Sequence, residues 1–125
     1  MDKTVPAEIK SVAVVEDDPA VRGSLKFSLE TDGFRVHAFT FAQDLLRVAQ
    51  ALHVDCLVVD HRLQDMTGLE LVDRLRRENR HFPAIVLAGH PSEALRQQAE
   101  HRQVTVVETP LIGDVLTDRM RALLA

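Results

Sequence analysis

The chain has one cysteine, no tryptophan, no tyrosine and five phenylalanines, and none of its apolar runs approaches the roughly 20 residues needed to cross a bilayer. A lone thiol excludes an internal disulfide. Cys56 lies inside the apolar run Cys56-Leu57-Val58-Val59, so it reads as a small packed hydrophobe, and a reducing cytosol is the compartment that fits. Residues 1–10 hold no apolar stretch long enough for a signal peptide. Internal repeats, low-complexity tracts and Gly/Ser linkers are lacking too, so nothing within these residues suggests a hinge to an output domain. The expectation is a cytoplasmic protein without membrane contact.

An excess of positive charge is also missing. Asp and Glu number 19 against 15 Lys and Arg, the formal net charge is −4, and the basic residues are scattered. Nucleic acid and anionic membranes are therefore not expected as direct partners. Arg74, Arg76, Arg77 and Arg80 lie close together, but interleaved with Asp73 and Glu78 on a helix they read as a solvated face. With 46% hydrophobic residues in a length of 125, residues 1–125 fit one domain with a sizeable core, its first eight residues loosely ordered.

What is present is an alternation of short apolar runs with longer segments of helical period, the pattern of successive β/α units around a parallel sheet. Strands are predicted at 12–15, 34–38, 54–59, 84–88 and 104–107. The first, third and fourth are continuous apolar runs, as expected where helices cover both faces of a central strand, while the second and fifth are more mixed and suit the edges. Val21, Leu25 and Leu29 mark one buried helix face, and Ala42, Leu45, Leu46 and Ala49 another. Asp18 before Pro19 predicts one helix start and Thr40 with Gln43 a capping box for the next. A third helix is expected over 68–79, with Leu71, Val72 and Leu75 inward and a stop before Pro83, a fourth from Pro91, and a fifth from near Leu111.

In an open parallel sheet the carboxyl ends of the strands border the crevice where binding chemistry sits. The first strand ends in Glu16-Asp17-Asp18 and the third in Asp60, each acid following an apolar run. If those strands are neighbours, three carboxylates share one pocket. Two of them about 4 Å apart repel by roughly 4 kcal/mol at an effective dielectric near 20, so compensation is required. A hard divalent cation such as Mg²⁺, which joins carboxylates to a phosphoryl group, is one answer, and proton uptake by an acid is the other.

The segments Val14-Val15-Glu16-Asp17-Asp18 and Leu57-Val58-Val59-Asp60, with Gly68 eight positions further on, resemble the receiver domains of two-component response regulators, and the resemblance covers nearly the whole chain. It implies a flavodoxin-like, doubly wound α/β fold: a five-stranded parallel sheet of order 2-1-3-4-5 with helices on both faces. It also implies that Glu16 and Asp17 hold Mg²⁺ and that the backbone carbonyl of Arg62 is a further metal ligand. Asp60 becomes both a metal ligand and the acceptor of a phosphoryl group from a sensor histidine kinase or histidine phosphotransfer protein. No enzyme activity is implied beyond the domain's own phosphotransfer and dephosphorylation. Asp18 is left as a helix cap.

The pattern breaks at several positions. Ala88 stands where the family has a Thr or Ser, Thr109 where it has a Lys, and Val106 where an aromatic usually moves with the hydroxyl residue. An alanine cannot donate to a phosphoryl oxygen and a threonine cannot supply an ammonium charge. His61 and His90 are the nearest substitute donors, though exposed loop histidines are the favoured interpretation. Gln64-Asp65 replaces a common Pro-Gly pair, which predicts a more mobile loop, and the Thr109-Pro110 bond is expected to be cis.

Two functions follow: a phosphoacceptor receiver, or a pseudo-receiver that binds protein partners irrespective of phosphate. A flavin or dinucleotide enzyme is disfavoured, since no Gly-rich loop follows the first strand. Leu116, Met120, Leu123 and Leu124 could pair two copies into a homodimer, although packing on the sheet is preferred.

Overall fold

A computed structural model describes residues 8–125 of the chain, so the expected loose order of residues 1–7 lies outside the described residues. Strands β1 (Ser11–Val15), β2 (Arg35–Phe39), β3 (Cys56–Asp60), β4 (Ala84–Gly89) and β5 (Thr105–Thr109) alternate with helices α1 (Pro19–Thr31), α2 (Ala42–Val48), α3 (Gly68–Arg77), α4 (Glu93–His101) and α5 (Val115–Leu124). The strands form one parallel sheet in the order β2-β1-β3-β4-β5. The expected fold class is therefore borne out, with the mixed strands β2 and β5 at the edges. No helix among the described residues is long and apolar enough to cross a membrane.

Side chains alternate across a strand, so each central apolar run feeds two cores at once. Ala13, Val15, Leu57, Val59 and Val86 pack with Leu45, Leu71, Leu75 and Leu95 on one face. Val12, Val14, Val58, Ile85 and Leu87 pack with Leu25, Leu29, Leu116 and Met120 on the other. The preferred sheet packing of the last helix is thus what Leu116, Met120 and the partly buried Leu124 show, while Leu123 stays 37% exposed. Cys56 is fully buried in the second core, where desolvation pushes its thiol up to about 12 and leaves it a packed hydrophobe.

Several local expectations are corrected. Val21 is 43% exposed instead of buried, because on the first turn of α1 it lines an open cleft rather than a packed core. The Thr40–Gln43 capping box does not form: the N-cap of α2 is Phe41, without a side-chain bond, and the carboxylate of Asp65 accepts from Ala42 N–H at 3.3 Å and Gln43 N–H at 3.0 Å. Asp65 thereby ties the loop that holds Gln64 and Asp65 to the start of α2. Helix α4 starts at Glu93 with Ser92 capping Leu95 N–H, two residues past Pro91, and α5 starts at Val115, after Gly113 at φ 58° turns the chain. Helix α3 ends at Arg77, and Asn79 takes φ 62° beyond it.

The arginine cluster on α3 is more than a solvated face. Arg76 donates to the Arg102 carbonyl, Arg80 to the Leu52 carbonyl at 2.7 Å while lying over Phe82, and Asp73 holds the Arg102 guanidinium through bonds of 2.9 and 3.1 Å. These links fasten α3 to the end of α4 and to the segment before β3.

Gly68 is required by close approach. A Cβ there would lie 2.9 Å from the Asp60 carbonyl oxygen and 3.2 Å from Val59 Cγ1, whereas one on Gly23, inside α1, would meet nothing within 4 Å. Gly68→Ala is expected to cost about 1–3 kcal/mol through overpacking, and Gly23→Ala to add about 0.5–1 kcal/mol through helix propensity. Urea unfolding of the two variants, with equal losses as the contradicting result, checks the contrast.

Candidate functional site

The site follows from strand register. β1 and β3 are parallel neighbours with Val15 opposite Val59, so the residues that continue each strand, Glu16 and Asp17 on one side and Asp60 on the other, meet at the carboxyl edge of the sheet. One carboxylate oxygen from each of Glu16, Asp17 and Asp60 lies within 4.8 Å of the others, and these three are the candidate cation-holding cluster among the described residues. Asp18 takes the role expected of it, capping α1 by accepting from Ala20 N–H at 2.8 Å and Val21 N–H at 3.2 Å.

Glu16 is only 6% exposed, and its Oε2 accepts the Asp18 N–H at 3.1 Å. Burial pushes its carboxyl up to about 7; the Asp18 N–H pulls against this, and the charges of Asp60 and Asp17 add to the rise. Asp60 is half-buried, and desolvation raises its carboxyl above the ordinary value, opposed first by the backbone N–H of Arg62 and reinforced by Asp17. Three acids crowd together, and two of them are pushed toward the neutral form, chiefly by burial and further by one another's charge.

Beside the acids opens a cleft of about 700 Å³ with apolar walls of Val21, Leu25, Leu87 and Leu111, and with Thr109 on its rim. The expected departures from the family pattern at Ala88, Val106 and Thr109 fall on β4 and β5. Leu87 pairs with Asp60 across the sheet, Ala88 follows it and is buried in the first core, Val106 packs partly buried against that core, and Thr109 lies opposite Gly89. The Thr109–Pro110 bond is cis, as expected. His90 is exposed at φ 49°, whereas His61 is half-buried, with its Nδ1 enclosed and unbonded among the described residues. The picture of an exposed loop histidine therefore holds for His90 and not for His61, which follows β3 directly.

Three contributors were missed by sequence reasoning. Arg22 Nη1 donates to the Glu16 carbonyl oxygen at 2.9 Å and steadies the turn that carries two of the acids; its place one turn into α1 was the available signal. Thr67 and Glu70 form a capping box that starts α3 beside Asp60, readable from Thr-x-x-Glu spacing. Asp65 had no local signal, because the amides it caps lie 22 and 23 positions away.

Comparison with known proteins agrees with this geometry. Residues 12–110 match the family model of the response regulator receiver domain. The chain is 35% identical over 107 residues to the transcriptional regulatory protein FixJ of Bradyrhizobium diazoefficiens, covering 85% of this chain and 52% of that protein. It is similar to the crystal structure of FixJ-N, with a TM-score of 0.85 and 29% identity over 94% of each chain. The chemotaxis protein CheY4 of Vibrio cholerae shares the fold, with a TM-score of 0.87 and 22% identity over 94% of this chain and all of that one. The chain spans about half the length of the FixJ proteins of Bradyrhizobium diazoefficiens and Rhizobium meliloti that it matches. Those relatives are named as transcriptional regulators, so they lend no support to the expectation that nucleic acid is excluded as a partner. On the family match, the relatives and the fold together, this chain belongs to the response regulator receiver domain family.

Proposed function

We propose that the domain accepts a phosphoryl group on the Asp60 carboxylate, from a sensor histidine kinase or a histidine phosphotransfer protein, in a two-component signalling system of the cytoplasm. Receiver domains of response regulators are phosphorylated by histidine kinases, and the observation that carries the assignment to Asp60 is its half-buried carboxylate within 4.8 Å of two further acids on the neighbouring strand tip. Asp60 acts as an oxygen nucleophile: a P–O bond forms as the P–N bond of the donor breaks, and the electron pair leaves with the imidazole nitrogen.

The donor set, three hard carboxylate oxygens of which those of Glu16 and Asp60 have raised proton affinity, fits Mg²⁺ held by Glu16, Asp17, Asp60 and the backbone carbonyl of Arg62. When bound, such a cation would offset the clustered negative charge and polarise the phosphoryl oxygens. The chain's own residues position the acceptor: Gly68 lets α3 abut Asp60, Arg62 N–H stabilises its anion, and Arg22 steadies the opposite acidic turn.

Ala88 and Thr109 favour a second reading, a protein-binding module whose partner choice ignores phosphate. Ala88 carries no donor and is packed into the core, and Thr109 carries no charge toward the acids.

Incubation with Mg²⁺ and acetyl phosphate is expected to add the mass of one phosphoryl group, and Asp60→Asn to abolish the gain. An unmodified wild-type chain in intact-mass spectra would leave the binding-module reading standing. Ala88→Thr combined with Thr109→Lys is expected to raise the rate or lifetime of the modification about tenfold, the effect of one charge-assisted hydrogen bond of roughly 1.5 kcal/mol. No change in either would show that the pocket handles phosphate by other means.

A pH dependence follows from Glu16. Its folded value of about 7 exceeds its ordinary 4.5, so the folded chain binds that proton more tightly, and the stability this contributes below 4.5 is lost as pH rises through 7. Metal-free thermal stability should accordingly decline from about pH 5 to 7.5, while Mg²⁺ affinity rises over about pH 6 to 8 as the competing proton leaves. Calorimetric titration giving a flat affinity over that window would contradict the assignment of Glu16 as a ligand.

A further inference from the structure

The loop between β3 and α3 is pinned at its base. His61 N–H donates to the Leu87 carbonyl at 2.8 Å, Gly68 N–H to the His61 carbonyl at 2.9 Å and Leu63 N–H to the Met66 carbonyl at 3.2 Å, while Arg62 and Thr67 form an antiparallel bridge. From the outer part of this loop the Asp65 carboxylate crosses to α2 and accepts both the Ala42 and Gln43 amides. Because the N-cap residue of α2, Phe41, makes no side-chain cap bond, the short helix takes its cap from the acceptor loop. The first turn of α2 and the loop after Asp60 are thereby one hydrogen-bonded unit.

Arg62 lies three residues before Asp65 in that unit, and its N–H stabilises the Asp60 anion. We infer that Asp65 is a positioning residue: by fastening the 61–67 loop to α2 it holds Arg62 against Asp60, so that divalent-cation binding at the acids and order in the first turn of α2 are linked. This rests on the metal reading above. A tethered loop has already lost the freedom that a free one would surrender when its backbone joins a ligand shell, so the tether strengthens binding without touching the ion. Reciprocity then requires the bound cation to strengthen the cap by the same factor. The coupling cannot exceed what the cap itself contributes, about fivefold when a typical cap of about 1 kcal/mol is converted at 1.36 kcal/mol per tenfold.

Asp65 is also an acid in the loop that follows Asp60, and two variants separate any effect of its charge from the tether. Asp65→Ala removes charge and acceptor together, whereas Asp65→Asn removes the charge and keeps an acceptor oxygen. Mg²⁺ is titrated into the whole chain without a phosphodonor, read by amide NMR shifts and by hydrogen exchange at Ala42 and Gln43. Asp65→Ala is expected to weaken Mg²⁺ about fivefold and to abolish the Mg²⁺-dependent protection of both amides, with Asp65→Asn within about twofold of wild type. Equal weakening in both variants would reduce the effect to charge and overturn the inference. Undiminished affinity in Asp65→Ala would overturn it as well, leaving a cap that serves α2 alone. A wild-type chain that binds no Mg²⁺ would instead remove the metal reading, and the linkage with it.

Discussion

The parallel pairing of β1 with β3, with Val15 set beside Val59, is the constraint on which the rest of the molecule depends. Both strands are apolar on both faces, and their burial between two helical layers leaves them no choice but the centre of the sheet. Once they are adjacent and parallel, the residues continuing them emerge at the same edge, and three acids are forced together. The hydrophobic effect thus buries and crowds carboxylates, and the proton affinities of Glu16 and Asp60 are raised first by that desolvation and further by the neighbouring acids.

The surroundings stabilise that crowding instead of relieving it. Arg22 spends its hydrogen bond on a backbone carbonyl of the acidic turn, Asp18 is consumed in capping α1, and Thr109 presents a hydroxyl-bearing but neutral side chain at the rim of the cleft. Ala88 adds volume to the core and no polarity to the pocket. Among the residues that line the cleft beside these acids, none is a lysine or arginine. The loop after Asp60 is tied to β4 through His61 N–H on the Leu87 carbonyl, to α2 through Asp65 and into α3 through the Thr67–Glu70 box.

The places where sequence and structure part company share a cause. Helix starts signalled by residues within one turn were recovered when local bonds decided them, as at Asp18, and lost when a distant side chain supplied the bond, as at α2. Val21 followed the helical period of Leu25 and Leu29 yet emerged exposed, because period specifies a direction around the helix and not whether a sheet lies beneath that turn. The arginines in and just after α3 looked solvated for a similar reason: the carbonyls of Arg102 and Leu52, which Arg76 and Arg80 reach, are brought there by the fold.

Short apolar runs alternating with amphipathic helices were enough to specify an α/β sheet, its central and edge strands, and the acids at strand tips, since burial and periodicity are written residue by residue. The conjunction of Glu16, Asp17 and Asp60 was conditional in the sequence and became a fact only through strand order, because residues more than 40 positions apart meet by topology alone. The same holds for the shape of the cleft, the enclosure of His61 and the reach of Asp65 to α2. A linear chain encodes which groups must be hidden or capped, and three-dimensional packing decides which partner does the hiding and the capping.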